Sequence, residues 1–184
     1  MLAIGIVWLI NHIARADMAM GGQEAAPYKR DYEAGLTEDA IAEVAINMFS
    51  SLFTLKADVL DYHYGGEDFG KAVYYERSYE SPETRQKVRF IAVLGDDLRS
   101  FIGQLIMNRK ITEMDDMAKS LVEEFAFMLM QYLDPILIAE EHQYKYGSGT
   151  FYDRATFAQR FEQKLPEFSI LFESNAGKFA ICLD

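Results

Sequence analysis

Four residues of one stretch stand at spacings that would line their chemistry up on a single helix face. Ser120, Glu124, Phe127 and Gln131 follow one another at intervals of four, three and four. On a helix they project from one narrow stripe. Their hydroxyl, carboxylate and carboxamide groups can accept hydrogen bonds or position a water, and the ring offers an apolar anchor. An earlier stretch holds a second set, Asp39, Glu43 and Asn47, with Glu43 and Asn47 sharing a face at i and i+4. Both sets also fit a plainer reading, as the wet boundary of a helix that covers the rim of a core.

Other chemistry is sparse. No glycine-rich phosphate loop occurs, since Gly65, Gly66 and Gly70 lead to no Lys-Ser/Thr ending. His12, His63 and His142 stand far apart and make no metal-ligand spacing. The run Glu140 to His142 reads as a solvated helix end, so no metal site is expected. Cys182 lies in an apolar terminal segment, which suits a buried, inert thiol. No serine sits in a Gly-x-Ser-x-Gly elbow. Tyrosines at Tyr62, Tyr64, Tyr74 and Tyr75 could line a ligand pocket, although at strand spacing they more often cover a sheet face.

Two long helices must carry the candidate stripes. The first starts near Thr37, which can cap it, with Glu38 and Asp39 in its positive first turn. Ile41, Ala45, Met48, Phe49, Leu52 and Phe53 form its apolar face. The second opens at Glu113 and holds helical phase from Met114 to Leu133, with Pro135 marking its end or a kink. Between them, Asp61 to Tyr64, Ala72 to Tyr75, Val88 to Leu94 and Phe101 to Met107 read as strands joined by short turns, an antiparallel meander. A Gly147–Gly149 loop, a short helix around Asp153 to Lys164, and a terminal hairpin (Phe168 to Phe172, Phe179 to Leu183) complete the domain. The fold class is therefore α+β, an antiparallel or mixed sheet with long helices packed on one face.

Composition narrows the partners. The chain has 184 residues, half of them hydrophobic, enough for one domain with a sizeable core. Its 29 acidic and 18 basic residues give a net charge of −11, which repels phosphate backbones, so no nucleic-acid partner is expected. One cysteine cannot form an internal disulfide and fits a reducing compartment; the chain is expected in the cytoplasm. Residues 1–36 read as an apolar segment and linker, and 37–184 as a single domain. The run from Met1 to Ile13 has about two-thirds of the ~20 residues a membrane span needs, so no span is expected. Ala14-Arg15-Ala16 resembles a cleavage site, but no positive charge precedes the run, and export is the alternative to packing on the domain or on a second copy.

The stretches Ile91 to Asp97, Gly103 to Ile106 and Asp115 to Glu124, together with the closing segment from Leu165 to Leu183 and its turn glycine Gly177, resemble the CheC/CheX chemotaxis phosphatase family. The likeness spans about residues 37 to 183 and implies a CheC/CheX-like domain that binds or acts on a response-regulator receiver domain. In that family an acidic residue or serine, a Glu four later and an Asn three after that lie along a helix. The Glu contacts the partner, and the Asn orients water for attack on its aspartyl phosphate. Ser120 and Glu124 match, but the Asn position is Phe127; Gln131 lies one turn further. Asp39 and Glu43 match in the first helix, where Ile46 takes the Asn position and Asn47 stands one residue late.

The resemblance thus implies Glu43, Asn47, Glu124 and Gln131 as candidate catalytic residues of a phosphatase whose motif is not intact, with Ser120 and Phe127 on the partner-binding surface. No cofactor of its own is implied, because Mg²⁺ would belong to the receiver domain. The alternative is a non-catalytic, homodimeric interaction module of the same fold.

Overall fold

A computed structural model describes residues 36–184 apart from 83, 84, 86, 112 and 138–144. The N-terminal apolar run and linker, and the segment Glu140 to His142, lie outside the described residues. Helix α1 spans Glu38–Phe53. Strands β1 (Ala57–Asp61), β2 (Val73–Glu80) and β3 (Lys87–Leu94) follow, then helices α2 (Asp96–Met107) and α3 (Asp116–Leu137). Strand β4 (Lys145–Tyr152), helix α4 (Arg154–Gln163) and strands β5 (Phe168–Ser174) and β6 (Gly177–Leu183) complete the order.

The six strands make one antiparallel sheet in the order β1-β5-β6-β3-β2-β4. The expected meander survives only between β2 and β3. The β5–β6 hairpin inserts between β1 and β3, so β1 and β2, neighbours in sequence, are not neighbours in the sheet.

Both long helices lie on one sheet face, as the apolar periodicity predicts. Their buried sides meet Phe90, Ala92, Phe172, Phe179 and Ile181 in one core. Phe49 stacks on Phe179 at 4.2 Å between ring centres, and Phe172 stacks on Phe179 from the neighbouring strand at 4.6 Å. The short helix α4 takes the other face, an addition to the expected arrangement. Its Phe157 and Phe161 cover Tyr64, Tyr74, Val93, Leu171 and Cys182. Dry surroundings hold the Cys182 thiol and the Tyr64 phenol well above their usual ranges and push Tyr74 up to about 12, against a lowering pull from Arg154 on both phenols. Arg160 of α4 joins Glu76 of β2 at 3.2 Å, and Arg89 of β3 donates to the carbonyl of Lys164, the C-cap of α4, at 3.0 Å, tying the helix to the sheet.

Two elements correct the sequence reading. Phe101 to Met107 is not a strand but part of α2. Leu98 and Ile102 are buried one turn apart whereas Phe101 is exposed, a helical and not an alternating pattern. Helix α2 starts where Gly95 donates to the Lys178 carbonyl at 2.9 Å, so close that a Cβ on Gly95 would lie 2.8 Å from that oxygen. Gly147 to Gly149 is not a loop but the middle of β4. Among the described residues it pairs only with β2, and Ser78 Oγ accepts from the Ser148 N–H at 3.0 Å where the register shifts. An edge strand needs no apolar faces of its own, so its composition reads as a loop. Smaller differences are a later start for α3, at Asp116, and its continuation past Pro135 to Leu137.

The tyrosines do not converge on a pocket. Tyr64 and Tyr74 belong to the core under α4, Tyr75 belongs to the core on the opposite face, and Tyr62 reaches α1.

Candidate functional site

The outer layer of α1 and α3 carries every candidate residue. Thr37 caps α1, its hydroxyl accepting from the Ala40 N–H at 3.2 Å. At the other end Thr54 and Leu55 close the helix by bonding back to the Ser50 and Phe49 carbonyls, with Thr54 left-handed at φ 56°. Between these caps Ile41, Ala45, Met48, Phe49 and Phe53 are buried, which turns Asp39, Glu43, Asn47 and Ser50 to solvent. Ile46, in the position where an amide would complete the implied motif, is half-buried and packed against the core.

Tyr62 adds to this surface. Its hydroxyl donates to Asp39 Oδ1 at 2.9 Å. That bond, with lesser help from desolvation and the nearby charges of Asp39 and Glu38, raises the phenol above its ordinary value. Tyr62 lies just beyond β1, and sequence reasoning placed it in a strand, with no link to α1.

Helix α3 is fixed at its start by Asp115, whose carboxylate accepts from the Ala118 N–H at 2.8 Å and from Arg109 at 2.7 Å. Those contacts, the backbone one first, hold Asp115 below the usual carboxylate range. Ala118, Leu121, Val122, Phe125, Ala126, Leu129 and Leu133 are buried. Ser120 and Gln131 are exposed, and Glu124 and Phe127 are half-buried. Ser120 Oγ donates to the Asp116 carbonyl at 3.0 Å within its own helix. The two helices meet through Phe125, whose ring centre lies 5.5 Å from Phe49 and 6.2 Å from Phe53. Glu43 and Glu124 thus stand on neighbouring helices over one sheet, Glu43 exposed and Glu124 half-buried with one carboxylate oxygen shut off from solvent.

Arg77 is the neighbour of this stripe that sequence reasoning missed. It lies on β2 between the inward-facing Tyr75 and Tyr79, is only 8% exposed, and donates to the Glu123 carbonyl at 3.3 Å. Its guanidinium also lies over two rings, Phe127 at 5.2 Å and Tyr79 at 5.6 Å. An arginine at an inward position between two aromatics was the available signal.

A helix pair of this kind, laid on an antiparallel sheet, is found in proteins of known structure. CheX from Vibrio vulnificus matches with a TM-score of 0.57 at 10% identity, over 79% of this chain and 97% of that one. The chain has the CheX fold. A CheC-like superfamily protein from Shewanella sp. PV-4 shares it at a TM-score of 0.56 and 12% identity, over 79% and 96% of the two chains. So does a CheX solved in complex with CheY, BeF₃ and Mg²⁺ from Borrelia burgdorferi, at 0.50 and 9% identity, over 79% and 94%. No family model matches the sequence. No curated protein matches it either. Within this fold Asp39, Glu43 and Asn47 lie on the solvent side of α1, and Ser120 and Gln131 on that of α3. Among the described residues no helix is long and apolar enough to cross a membrane.

Proposed function

We propose that this chain binds a response-regulator receiver domain across the outer layer of its two long helices, as part of chemotactic signalling. The observation that carries this reading is the CheX fold together with the outward position of Asp39, Glu43 and Asn47 on α1. A structure with this fold has been solved in complex with CheY. The excess of 29 acidic over 18 basic residues favours a partner presenting positive charge, Mg²⁺ included. No cofactor of the chain's own is invoked, because the metal comes with the receiver domain.

Two placements of a hydrolytic site are open to this reading, Glu43 with Asn47 on α1, or Glu124 with Gln131 on α3 flanked by Ser120 and Phe127. In either, the carboxylate would dock the partner and the carboxamide would hold a water in line with the phosphorus. Attack by that water forms one P–O bond and breaks the bond to the aspartyl oxygen. Inorganic phosphate leaves, and the partner's carboxylate is restored.

Binding without hydrolysis, by a homodimeric module, is the second reading. The observation favouring it is that Phe127 and Ile46 fill the two amide positions, and neither side chain can hold a water. The test is to charge receiver domains of the host cell with acetyl phosphate and Mg²⁺ and follow phosphate release with and without the chain. Acceleration that is lost in Asn47→Ala or Gln131→Ala supports hydrolysis. Complex formation without acceleration supports the binding module, and absence of both sinks the proposal. Sedimentation equilibrium tests the dimer.

A further inference from the structure

We infer that Met117, in the first turn of α3, is a site of reversible oxidation by hydroperoxides, with Arg109 receiving the sulfoxide oxygen. Among the described residues Met117 is the exposed methionine, at 51%. Met48, Met128 and Met130 are buried, and Met107 and Met114 are half-buried. Exposure makes a sulfur accessible, and the neighbour of this one adds chemistry. Arg109 Nη1 donates to the Met117 Sδ at 3.7 Å while its Nη2 holds Asp115 at 2.7 Å. The Arg109 amide closes α2 on the Gly103 carbonyl at 3.4 Å, and Asp115 accepts from the Ala118 N–H at the head of α3. The guanidinium is thus anchored to both helices and held beside the sulfur.

The step is a two-electron oxygen transfer. A sulfur lone pair attacks the terminal oxygen of the hydroperoxide; an S–O bond forms and the O–O bond breaks. Negative charge grows on the departing oxygen, and a guanidinium beside the sulfur stabilises it. That oxygen takes up the proton of the transferred one and leaves as water or an alcohol, so sulfur is oxidised and the peroxide reduced. A thioether is a weak acceptor, whereas the sulfoxide oxygen makes a charge-assisted bond with the donor already there. In a core the polar product would disrupt packing. At the exposed Met117 it gains a partner and stays open to sulfoxide reductases.

Limited treatment of the full chain with hydrogen peroxide, followed by peptide mass spectrometry, tests this. Met117 should gain oxygen about tenfold or more faster than Met48, Met128 and Met130, which react only as the structure opens. It should also precede Met107 and Met114. Arg109→Ala should slow Met117 about threefold or more by removing the donor. Asp115→Asn keeps the guanidinium but breaks its ion pair, and should leave the rate within about twofold of the parent. That pair of variants separates the guanidinium from a mere loosening of α3. In NMR spectra the Arg109 guanidinium resonances should shift on oxidation, stay unmoved by peroxide in Met117→Leu, and return after a methionine sulfoxide reductase acts. Earlier oxidation of Met107 or Met114, a Met117 rate indifferent to Arg109→Ala, or resonances that do not move overturn the inference. A sulfoxide that the reductase leaves in place overturns its reversibility.

Discussion

The guanidinium of Arg77 and the ring of Phe127 lie 5.2 Å apart, joining the inward side of β2 to the outer stripe of α3. A residue from the sheet thereby reaches round to the surface where a partner-facing group would be expected. Removing it with Arg77→Ala should cost about 2–3 kcal/mol, from the lost ring contacts and the abandoned Glu123 carbonyl. Urea unfolding measures this. A cost near zero would mean that the clamp does not hold α3.

Restoring the implied spacing on α1 is a second test. Ile46→Asn places a carboxamide three residues after Glu43, at a half-buried site. A loss of about 1 kcal/mol in stability is expected. Phosphate release from a charged receiver should rise about tenfold or more, because the amide can then hold the attacking water. Unchanged release in a folded variant that still binds would argue against hydrolysis on α1.

Alkaline pH should loosen the face under α4. Burial raises the Cys182, Tyr64 and Tyr74 groups together, so the folded chain keeps protons that the unfolded chain gives up. Their contribution to stability is therefore complete below the unfolded thiol value of about 8.5 and declines as pH rises beyond it, the phenols joining from about 10. Urea midpoints between pH 7 and 11 should fall accordingly, with a later onset in Cys182→Ala. Thiol reagents should modify Cys182 only after denaturation. Rapid labelling of the native chain would contradict its complete burial.

Tyr62 offers a spectroscopic check on the α1 surface. Its phenol should titrate above an ordinary tyrosine, and Asp39→Asn should return it toward the usual value. NMR titration of the ring resonances reads both. No difference between the two chains would remove the hydrogen bond from the account.

Gly95→Ala should destabilise by about 1–3 kcal/mol, since its Cβ would fall 2.8 Å from the Lys178 carbonyl, a backbone atom that cannot rotate away. Gly177→Ala should cost a similar amount, because its φ of 130° excludes ordinary side chains and Leu98 lies 3.0 Å off. Thermal unfolding compares the two. Parental melting in Gly95→Ala would show that α2 does not need that close seat.

Periodicity made the two long helices legible, because each buries a continuous stripe from Ile41 to Phe53 or from Ala118 to Leu133. The terminal hairpin was legible from its apolar runs and turn. Helix α2 was not, since Phe101 to Met107 is apolar enough to pass for a strand, and only burial separates Ile102 from the exposed Phe101. Strand β4 was hidden by Gly147, Ser148 and Gly149, whose pairing depends on β2 and not on their own propensity. The candidate stripes could be read from spacing alone. Their inequality could not, because Arg77 meets Glu123 from 46 positions away in the chain.

The sheet order has a consequence for synthesis. Strands β5 and β6 follow all the others in the sequence, yet they lie between β1 and β3. A ribosome therefore releases β1 on one side, and β3, β2 and β4 on the other, before the strands that join them exist. Until that hairpin emerges, Phe90 and Ala92 have no strand beside them on the β6 side, and nascent chains must be kept from associating through that open edge.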